Sequence, residues 1–478
     1  MSYLVNKSNS NETKGVKTLL GEPKKAIITL AIPMIIAMSA HTIYNLFDAL
    51  WVSGFGQEFF TNETIAEIGT GALAAVGFVM PFFMMIISIS VGIGVGAGSA
   101  ISRKIGANDK EGADNVAVHS IIITLIISII FSILFYISAE EIFSLIGAKE
   151  AAGMAVSYGR IIFAGGIFLF FSNVAYAILR GEGDAKRAMY AMMFGAILNI
   201  IIDPIFIYTL GYGVTGAAYA TILSMFLSSL ILIYWLFFRK NTYVDFNFTN
   251  FKFNKDIIKD ILKVGLPASV QQLSMSITML ILIVVITIVG DGDDGVAIYN
   301  TGWRVVMIAV LPLLGIATAV TSVVGAAFGA RSYSKLNTAF IYAIKIGLIS
   351  EIIIGIGIFL LAPMITAIFT TTPDAIRIQE GLELFLRITI FFYPGAAIGI
   401  ASSAMFQGSG KGTYALIVTL LRTVVLTPIF AIILIFVFDL NLVGIWWSLV
   451  IANLIGSVVS FIWAKLYIQK LRNSSTTI

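Results

Sequence analysis

The sequence predicts an all-α polytopic membrane protein with 12 transmembrane helices, arranged as two pseudo-symmetric six-helix bundles with a cleft between them. Three observations support this fold class. Apolar residues make up 58% of the 478-residue chain and charged residues only 12%, against roughly 25% charged in a soluble domain. The apolar residues fall into long uninterrupted runs, and the second half of the chain repeats motifs of the first half.

Composition also excludes several kinds of chemistry. The chain has no cysteine, which excludes disulfides, thiolate metal sites and thiol catalysis. The first 25 residues are polar and lack the apolar core and small-residue cleavage site of a signal peptide. The first apolar run is therefore expected to serve as the insertion signal.

Twelve apolar runs are separated by charged, glycine-rich or proline-containing breaks. Each is long enough to cross a hydrocarbon core of roughly 30 Å. The predicted spans are 26–53, 72–102, 115–137, 154–179, 187–208, 213–237, 258–290, 296–329, 337–368, 380–406, 413–438 and 442–468.

The distribution of basic residues predicts the orientation. Most of the 30 Lys and Arg residues lie in the N-terminal segment, in the connections after even-numbered spans and at the C-terminus. The connections after odd-numbered spans contain only Lys149 and Arg377. Because cytoplasmic loops carry an excess of Lys and Arg, both termini are predicted to be cytoplasmic in a multi-pass protein of the cell membrane.

A basic connection near the middle of the chain divides it into two lobes. The predicted divisions are an N-terminal cytoplasmic segment 1–25, a first lobe 26–237, a linker 238–257, a second lobe 258–468 and a tail 469–478. Motifs recur at an offset of about 223 to 234 residues: LAIPMII matches VGLPASV, KIGANDKEG matches AFGARSYSK, and ILRGEGDAKRA matches AMFQGSGKGTY. Because each repeat has an even number of spans, the lobes keep the same orientation, which suits a cleft between them.

The first span carries a proline in its first third, Pro33, and an acid near its far end, Asp48. An Asp at the centre of a membrane helix costs about 2.5 to 3.5 kcal/mol on the insertion scale, and such residues usually mark ion or proton pathways. The alternative is a structural role, in which Asp48 reaches the interface or pairs with an arginine.

A second acid, Asp203, lies in the fifth span, with Asn199 one helical turn earlier. The second lobe has no acid at either matching position, so the asymmetry points to chemistry in the first lobe. Counting about 1.5 Å per residue from the charged ends places Asp48, Asp203 and Thr221 at similar depth. If they converge, two carboxylates, an amide and a hydroxyl form a site for a hard cation such as Na⁺. The same site suits a proton, because desolvation and a second carboxylate both favour the protonated acid.

Pro33 and Pro204 each remove a backbone donor and weaken the helix around them. We therefore expect span 1 to bend at Pro33 once a proton or cation has neutralised the acids, which would let the lobes rock. The alternative for Pro33 is a static kink.

Other polar residues are weaker candidates for lining the cavity. His41, Tyr44 and Asn45 share the helix of Asp48, and Gln271 and Gln272 follow the repeated proline of the second lobe. Glu351 lies deep in the ninth span, where it is a candidate second proton site or the partner of Lys345.

The motifs IPMIIAMSAHTIYNLFDALWVSGFG, GAGSAISRKIGA, ILRGEGDA, NIIIDPIF and GAAYAT resemble those of the multidrug and toxic compound extrusion (MATE) transporters, most closely the archaeal and DinF-like branch. The resemblance implies a V-shaped pair of six-helix lobes and export of organic cations driven by inward movement of H⁺ or Na⁺. It assigns coupling to Asp48, Asn199, Asp203 and Thr221, with Tyr44, Tyr158, Asn173 and His41 nearby. His41 and Tyr176 depart from the pattern of that branch, and the acid that other branches carry in span 7 is missing.

Two other functions remain open from the sequence. A lipid or oligosaccharide flippase of the same architecture would need several basic residues in its cleft. An intramembrane aspartyl protease is suggested by the GxGD string at Gly181–Asp184, although this string lies in a basic turn. The expected partners are small hydrophobic or cationic molecules and the lipid bilayer, with no nucleic acid, no cofactor beyond the coupling ion, and a monomeric state.

Overall fold

The protein is described here by a computed structural model, which covers residues 13–61, 68–146, 151–239, 241–246, 251–289, 293–371 and 373–476. Throughout these ranges the chain forms helices joined by short turns, and no β-strand occurs in them. Lys149, which enters the orientation argument, lies outside the described residues, as do residues 1–12 of the predicted N-terminal segment and residues 240 and 247–250 of the predicted linker.

The helices follow the chain in a simple order. Their bounds are α1 Lys14–Leu20, α2 Pro23–Val52, α3 Thr70–Gly106, α4 Lys110–Leu145, α5 Ala152–Ala164, α6 Gly166–Gly181, α7 Ala185–Pro204, α8 Gly213–Ile233, α9 Lys255–Val289, α10 Asp293–Ala309, α11 Leu311–Gly329, α12 Tyr333–Phe369, α13 Pro373–Ile376, α14 Gln379–Thr389, α15 Phe392–Gly408, α16 Gly412–Leu420, α17 Thr427–Phe436 and α18 Asn441–Thr476. Stretches of π-helix extend α7 over Ile205–Thr209 and α8 over Tyr234–Phe238, and join α16 to α17 over Leu421–Leu426.

Ten of the described helices are long and apolar enough to cross a membrane, and two bent pairs raise the number to 12. The pairs are α5 with α6, bent by 46°, and α14 with α15, bent by 50°. Each predicted span corresponds to one helix or to consecutive helices, so the 12-helix all-α prediction is confirmed. The breaks at Gly165, Val310 and residues 390–391 were not predicted, because an apolar run looks the same whether or not its helix bends.

The two halves of the chain pack against each other through helices that have glycine at the points of contact. A Cβ atom at Gly96 of α3 would lie 2.3 Å from the carbonyl oxygen of Ile261 in α9, and one at Gly92 would lie 2.7 Å from that of Gly265. Only glycine allows backbones to approach this closely, as at many membrane helix interfaces. Arg103 at the end of α3 adds an ion pair with Asp260, at 2.8 Å. These contacts hold α3 against the second half.

Helix α2 has two differently packed parts. Up to residue 37 its buried residues, such as Ile27 and Met34, are almost inaccessible, and a Cβ at Gly315 of α11 would lie 3.0 Å from the backbone nitrogen of Ile35. Helix α2 also packs against α7 and approaches α8, and its later part carries Asp48, which lies near Asp203 of α7. Pro33 therefore lies in the part of α2 that is held against the second half.

Tyr208 ties the end of α7 to the end of α2. It lies in the π-helical stretch that follows Pro204, and its hydroxyl donates to the carbonyl oxygens of Trp51 and Phe55, the latter at 3.2 Å. Its ring packs edge-on against Trp51 with 6.5 Å between centroids. The bond fixes the spacing of the two helices one to two turns beyond Asp48 and Asp203.

The linker between the halves docks on the first half through a buried acid. Glu182, between α6 and α7, is 1% exposed and accepts hydrogen bonds from the backbone nitrogens of Tyr243 at 2.8 Å and Val244 at 3.1 Å. Farther along the linker, the Asn254 nitrogen donates to Nε2 of His119, at 3.0 Å. Burial raises the pKa of Glu182 to about 8, since removal of water disfavours its charged form.

We expect Tyr208→Phe to lower the free energy of unfolding by about 1 kcal/mol, because the ring stays packed while the hydrogen bonds to α2 are lost. Tyr212→Phe is the matched control, since Tyr212 is 50% exposed. Thermal unfolding of the detergent-purified protein measures both, and equal stability of the two variants would show that the Tyr208 hydroxyl does not hold the helices.

The raised pKa of Glu182 predicts a pH-dependent stability. Between 4.5, its ordinary value, and about 8, the folded protein binds more protons than the unfolded chain, so the free energy of unfolding falls as pH rises through that window. We expect Glu182→Gln to remove a pH dependence on the order of 2 to 4 kcal/mol. Unfolding temperatures between pH 5 and 9 measure this, with exposed Glu111→Gln as control; an unchanged slope in Glu182→Gln would contradict the assignment.

Candidate functional site

Two carboxylates from different helices meet inside the first half. Asp48 of α2 and Asp203 of α7 lie within hydrogen-bonding reach of each other. Asp203 is fully buried and Asp48 is partly buried. Two carboxylates in contact repel strongly where water is scarce, unless a proton or a cation lies between them.

Asn199 connects the acids to α8. Its Nδ2 donates to Oδ1 of Asp203 and to Oγ1 of Thr221, each at 3.3 Å. The pairing with Asp203 follows from the helix, since residues four apart share one face. The pairing with Thr221 depends on the packing of α7 against α8, in which both residues are buried.

Three oxygens at this site are buried and have no hydrogen-bond partner: Oδ1 of Asp48, Oδ1 of Asn199 and Oδ2 of Asp203. A buried polar atom without a partner costs roughly 1 to 3 kcal/mol, so such atoms are rare in native proteins. All three are acceptors, and they come from α2 and α7. The cluster therefore has the chemistry to receive a proton or a small cation with oxygen ligands.

Aromatic residues surround the acids. Tyr44 and Tyr158 are buried, 3% and 8% exposed, and both lie close enough to interact electrostatically with Asp48 and Asp203. The ring of His41 packs on Tyr44, with 5.0 Å between centroids. Asn45, on the same helix, is exposed. The site thus has an aromatic wall formed by α2 and α5.

The other predicted cavity residues in the first half bond elsewhere. Nδ2 of Asn173 donates to Oγ of Ser90 at 2.9 Å. The hydroxyl of Tyr176 bonds to Oγ of Ser228, also at 2.9 Å, and Ser228 in turn donates to the carbonyl of Ala191. Both residues are therefore linked to polar side chains of neighbouring helices rather than to the two acids.

The candidates in the second half do not join the acid cluster. Gln271 donates to Ser403 at 3.2 Å and accepts from Gln407 at 3.2 Å, while Gln272 is exposed. Glu351 is fully buried, and neither carboxylate oxygen has a hydrogen-bond partner. The alternative of a Glu351–Lys345 pair is wrong, because neither of these oxygens has a hydrogen-bond partner, Lys345 included.

The GxGD string has a structural role. The carboxylate of Asp184 accepts a hydrogen bond from the backbone nitrogen of Arg187 at 3.1 Å and pairs with its guanidinium at 3.3 Å. It therefore caps the N-terminus of α7, as Asp commonly does. Among the described residues no group of three or more His, Cys, Asp and Glu side chains could hold a metal ion.

The sequence pattern does not reveal the contacts of two structurally important residues, Tyr208 and Glu182. Tyr208 was one of many aromatic residues in apolar runs, and nothing in its neighbourhood signals a bond to α2. Glu182 lies inside the GxGD string, which by itself does not indicate a contact with the linker. Its position between two glycines in a turn was the available signal, since glycine is typical of tight turns and of close approach to the backbone.

Comparison with known proteins agrees with this architecture. The MatE family model matches residues 33–205 and 267–433. The multidrug export protein MepA of Staphylococcus saprophyticus is 26% identical over 95% of this chain and 95% of its own length. A solved MOP superfamily transporter from Pyrococcus furiosus is 48% identical, with a TM-score of 0.91 over 96% of this chain and 99% of that one.

A solved outward-facing multidrug resistance MATE family transporter of the same superfamily is 47% identical, also with a TM-score of 0.91 over 96% and 99% of the two chains. The family model covers well over half of the chain, and these solved structures are similar over almost all of it. The chain belongs to the MatE family, whose members are transporters and not enzymes.

Proposed function

We propose that this transporter exports hydrophobic, often cationic, small molecules in exchange for H⁺ or Na⁺. The observation that carries the proposal is the set of three unpartnered buried oxygens on Asp48, Asn199 and Asp203. Coupling needs a site that is costly when empty and is satisfied by the incoming ion. Thr221 completes the candidate ligand set from α8, through its bond to Asn199.

The proposed exchange follows from electrostatics. With both acids ionised and in contact, closing the cavity around them would leave two like charges in a medium of low dielectric constant. A proton shared between the carboxylates, or a Na⁺ held by their oxygens, removes that cost. Only the loaded or neutralised site is therefore expected to close, which links movement of the ion to movement of the substrate.

The substrate class is proposed from the relatives and from the wall of the site. The relatives are described as multidrug export and multidrug resistance proteins. Tyr44 and Tyr158 give the site buried aromatic faces, which attract flat cationic molecules. A flippase for anionic lipids would instead need basic groups here, whereas Tyr44 and Tyr158 lie beside the acids Asp48 and Asp203.

Pro33 is the proposed hinge. It removes a backbone hydrogen bond from α2 where that helix is held against α11, so the part carrying Asp48 can turn relative to the part before it. The two bundles, residues 26–237 and 258–468, would rock about the α3–α9 contact, joined by linker 238–257, with both termini on the cytoplasmic side. The transporter needs no cofactor beyond its coupling ion and is proposed to act as a monomer.

We expect Asp48→Asn and Asp203→Asn each to lower ion-driven drug efflux from vesicles by at least about tenfold, since the exchangeable charge is lost. Asp439→Asn is the matched control: its side chain is exposed and its φ of 53° suits asparagine. Normal efflux by both site variants would refute coupling through these acids.

The same vesicles distinguish the coupling ions. A pH gradient and a Na⁺ gradient are applied separately to the wild-type protein, and drug movement and ion movement are followed together. Drug efflux under one gradient alone identifies that ion. If neither gradient drives efflux although the wild-type protein binds the drug, the proposed exchange of drug for H⁺ or Na⁺ is wrong.

We expect Pro33→Ala to slow transport by roughly threefold to tenfold, because it restores a continuous α2 while leaving drug binding intact. Pro81→Ala is the control: Pro81 lies inside α3 and its side chain is exposed. Efflux rate and drug affinity are measured for both. Equal rates in the two variants would mean that Pro33 is a static kink.

A further inference from the structure

Two equivalent turns in the repeated halves have the same backbone conformation but differ in charge. In KIGANDKEG, Asn108 has a φ of 57° and Asp109 precedes α4; in AFGARSYSK, Arg331 has a φ of 54° and Ser332 precedes α12. Asp109 and Ser332 have nearly the same dihedral angles, φ −101° and ψ 81° against φ −91° and ψ 72°. The two turns can therefore be compared residue by residue.

In the first half, the turn itself contains an acidic residue, Asp109. The Asp109 carboxylate accepts a hydrogen bond from the Gly112 nitrogen at 2.8 Å and pairs with Lys104 at 2.7 Å, and Lys104 holds the pKa of Asp109 below its ordinary value. One turn further along α4, Asp114 binds Lys110 and accepts from the backbone nitrogen of Asp245. The linker thus covers this end of α4, and the positive end of the helix dipole is neutralised.

In the second half, both acids are replaced by neutral residues. Ser332 stands where Asp109 does, and its side chain accepts no hydrogen bond from α12. Asn337 stands where Asp114 does and accepts from Lys465 of α18, at 2.8 Å. Arg331 replaces Asn108 and adds a positive charge. The turn therefore carries basic groups and a helix N-terminus but lacks the internal anion.

A cavity of about 970 Å³ opens at this turn, between the start of α12 and the end of α18. Basic side chains from both helix ends line it, Arg331 beside α12 and Lys465 on α18, together with hydroxyl and amide groups such as those of Ser332 and Asn337. None of the described residues that line the cavity is acidic, and Ile462 and Leu466 lie on its apolar side. Several cations and hydroxyl donors around one space form a binding site for a phosphate group.

The apolar side of the cavity continues onto the membrane-facing surface. Ile462 is 51% exposed and Leu466 59% exposed, and both lie on α18, which is long and apolar enough to span the bilayer. A ligand with a phosphate at one end and an alkyl chain at the other would cover both parts. Basic pockets between membrane helices on the side with positively charged loops are typical sites for anionic lipid head groups.

We propose that this cavity binds the phosphate head group of an anionic phospholipid, which takes the place that Asp109 and the linker occupy in the first half. The lipid phosphate lies between Arg331, Lys465 and the first turn of α12, and one acyl chain lies along Ile462 and Leu466. The lipid thus joins the ends of α12 and α18, so the second half depends on the composition of the surrounding membrane.

The test replaces two residues of the turn before α12 by their counterparts in the turn before α4. Arg331→Asn with Ser332→Asp installs the residues of the N-terminal turn on the same backbone. Asparagine tolerates the positive φ and aspartate caps the helix, so folding should be preserved. The control is Lys470→Glu, which changes the net charge by the same amount on exposed α18 surface outside the cavity. The full chain is purified in neutral detergent and titrated with phosphatidylglycerol or phosphatidylcholine of identical acyl chains, with bound lipid counted by native mass spectrometry.

We expect the wild-type protein and Lys470→Glu to retain one phosphatidylglycerol about tenfold more tightly than the double variant, and phosphatidylcholine to bind all three equally weakly. Inorganic phosphate at millimolar concentration should not displace the lipid. Displacement by phosphate would show that the site takes a soluble phosphate anion and overturn the lipid assignment. Equal retention of phosphatidylglycerol by the double variant and the control would overturn the site itself.

Discussion

The contact between Asp48 and Asp203 is the constraint on which the rest of the structure depends. Placing one carboxylate within a membrane protein is expensive, and placing two against each other is more so. The protein keeps them together with bonds that lie outside the acids themselves. Asn199 bridges Asp203 to Thr221 at 3.3 Å, and Tyr208 joins the ends of α7 and α2 beyond the site. The frame therefore holds a geometry that the charges alone would push apart.

The irregular backbone around the site also helps to keep Asp48 and Asp203 together. Pro204 follows Asp203 directly, and the helix continues as a π-helical stretch. Such stretches are rare and often occur at functional sites, because they redirect side chains without ending the helix. Here the stretch carries Tyr208 to α2. On the other helix, Pro33 separates a part of α2 that is packed against α11 from the part that carries Asp48.

The two halves use one scaffold but carry different charged residues. The first half has acids in its interior and at its helix N-termini, and its turn beside α4 is neutralised by Asp109 and covered by the linker. The second half has Ser332 and Asn337 at the corresponding positions and an open basic cavity beside α12. Its buried acid, Glu351, has no hydrogen-bond partner and does not belong to the acid pair. Internal repetition provides the frame, and the two halves differ in the charged residues that they carry at corresponding positions.

The sequence by itself determined the number and order of the membrane helices, because runs of apolar residues must bury their backbone in helices wherever they cross lipid. It also indicated Asp48 and Asp203, since acids in such runs are costly enough to need a reason, and placed Asn199 beside Asp203 through helical spacing. Tertiary structure alone decided that α2, α7 and α8 are neighbours, that Tyr208 reaches Trp51, and that Asn173 and Tyr176 bond to serines instead of the acids. These outcomes depend on helix packing, and lipid-facing and buried surfaces of a membrane helix are both apolar, so the pattern along the chain does not reveal which face meets which helix.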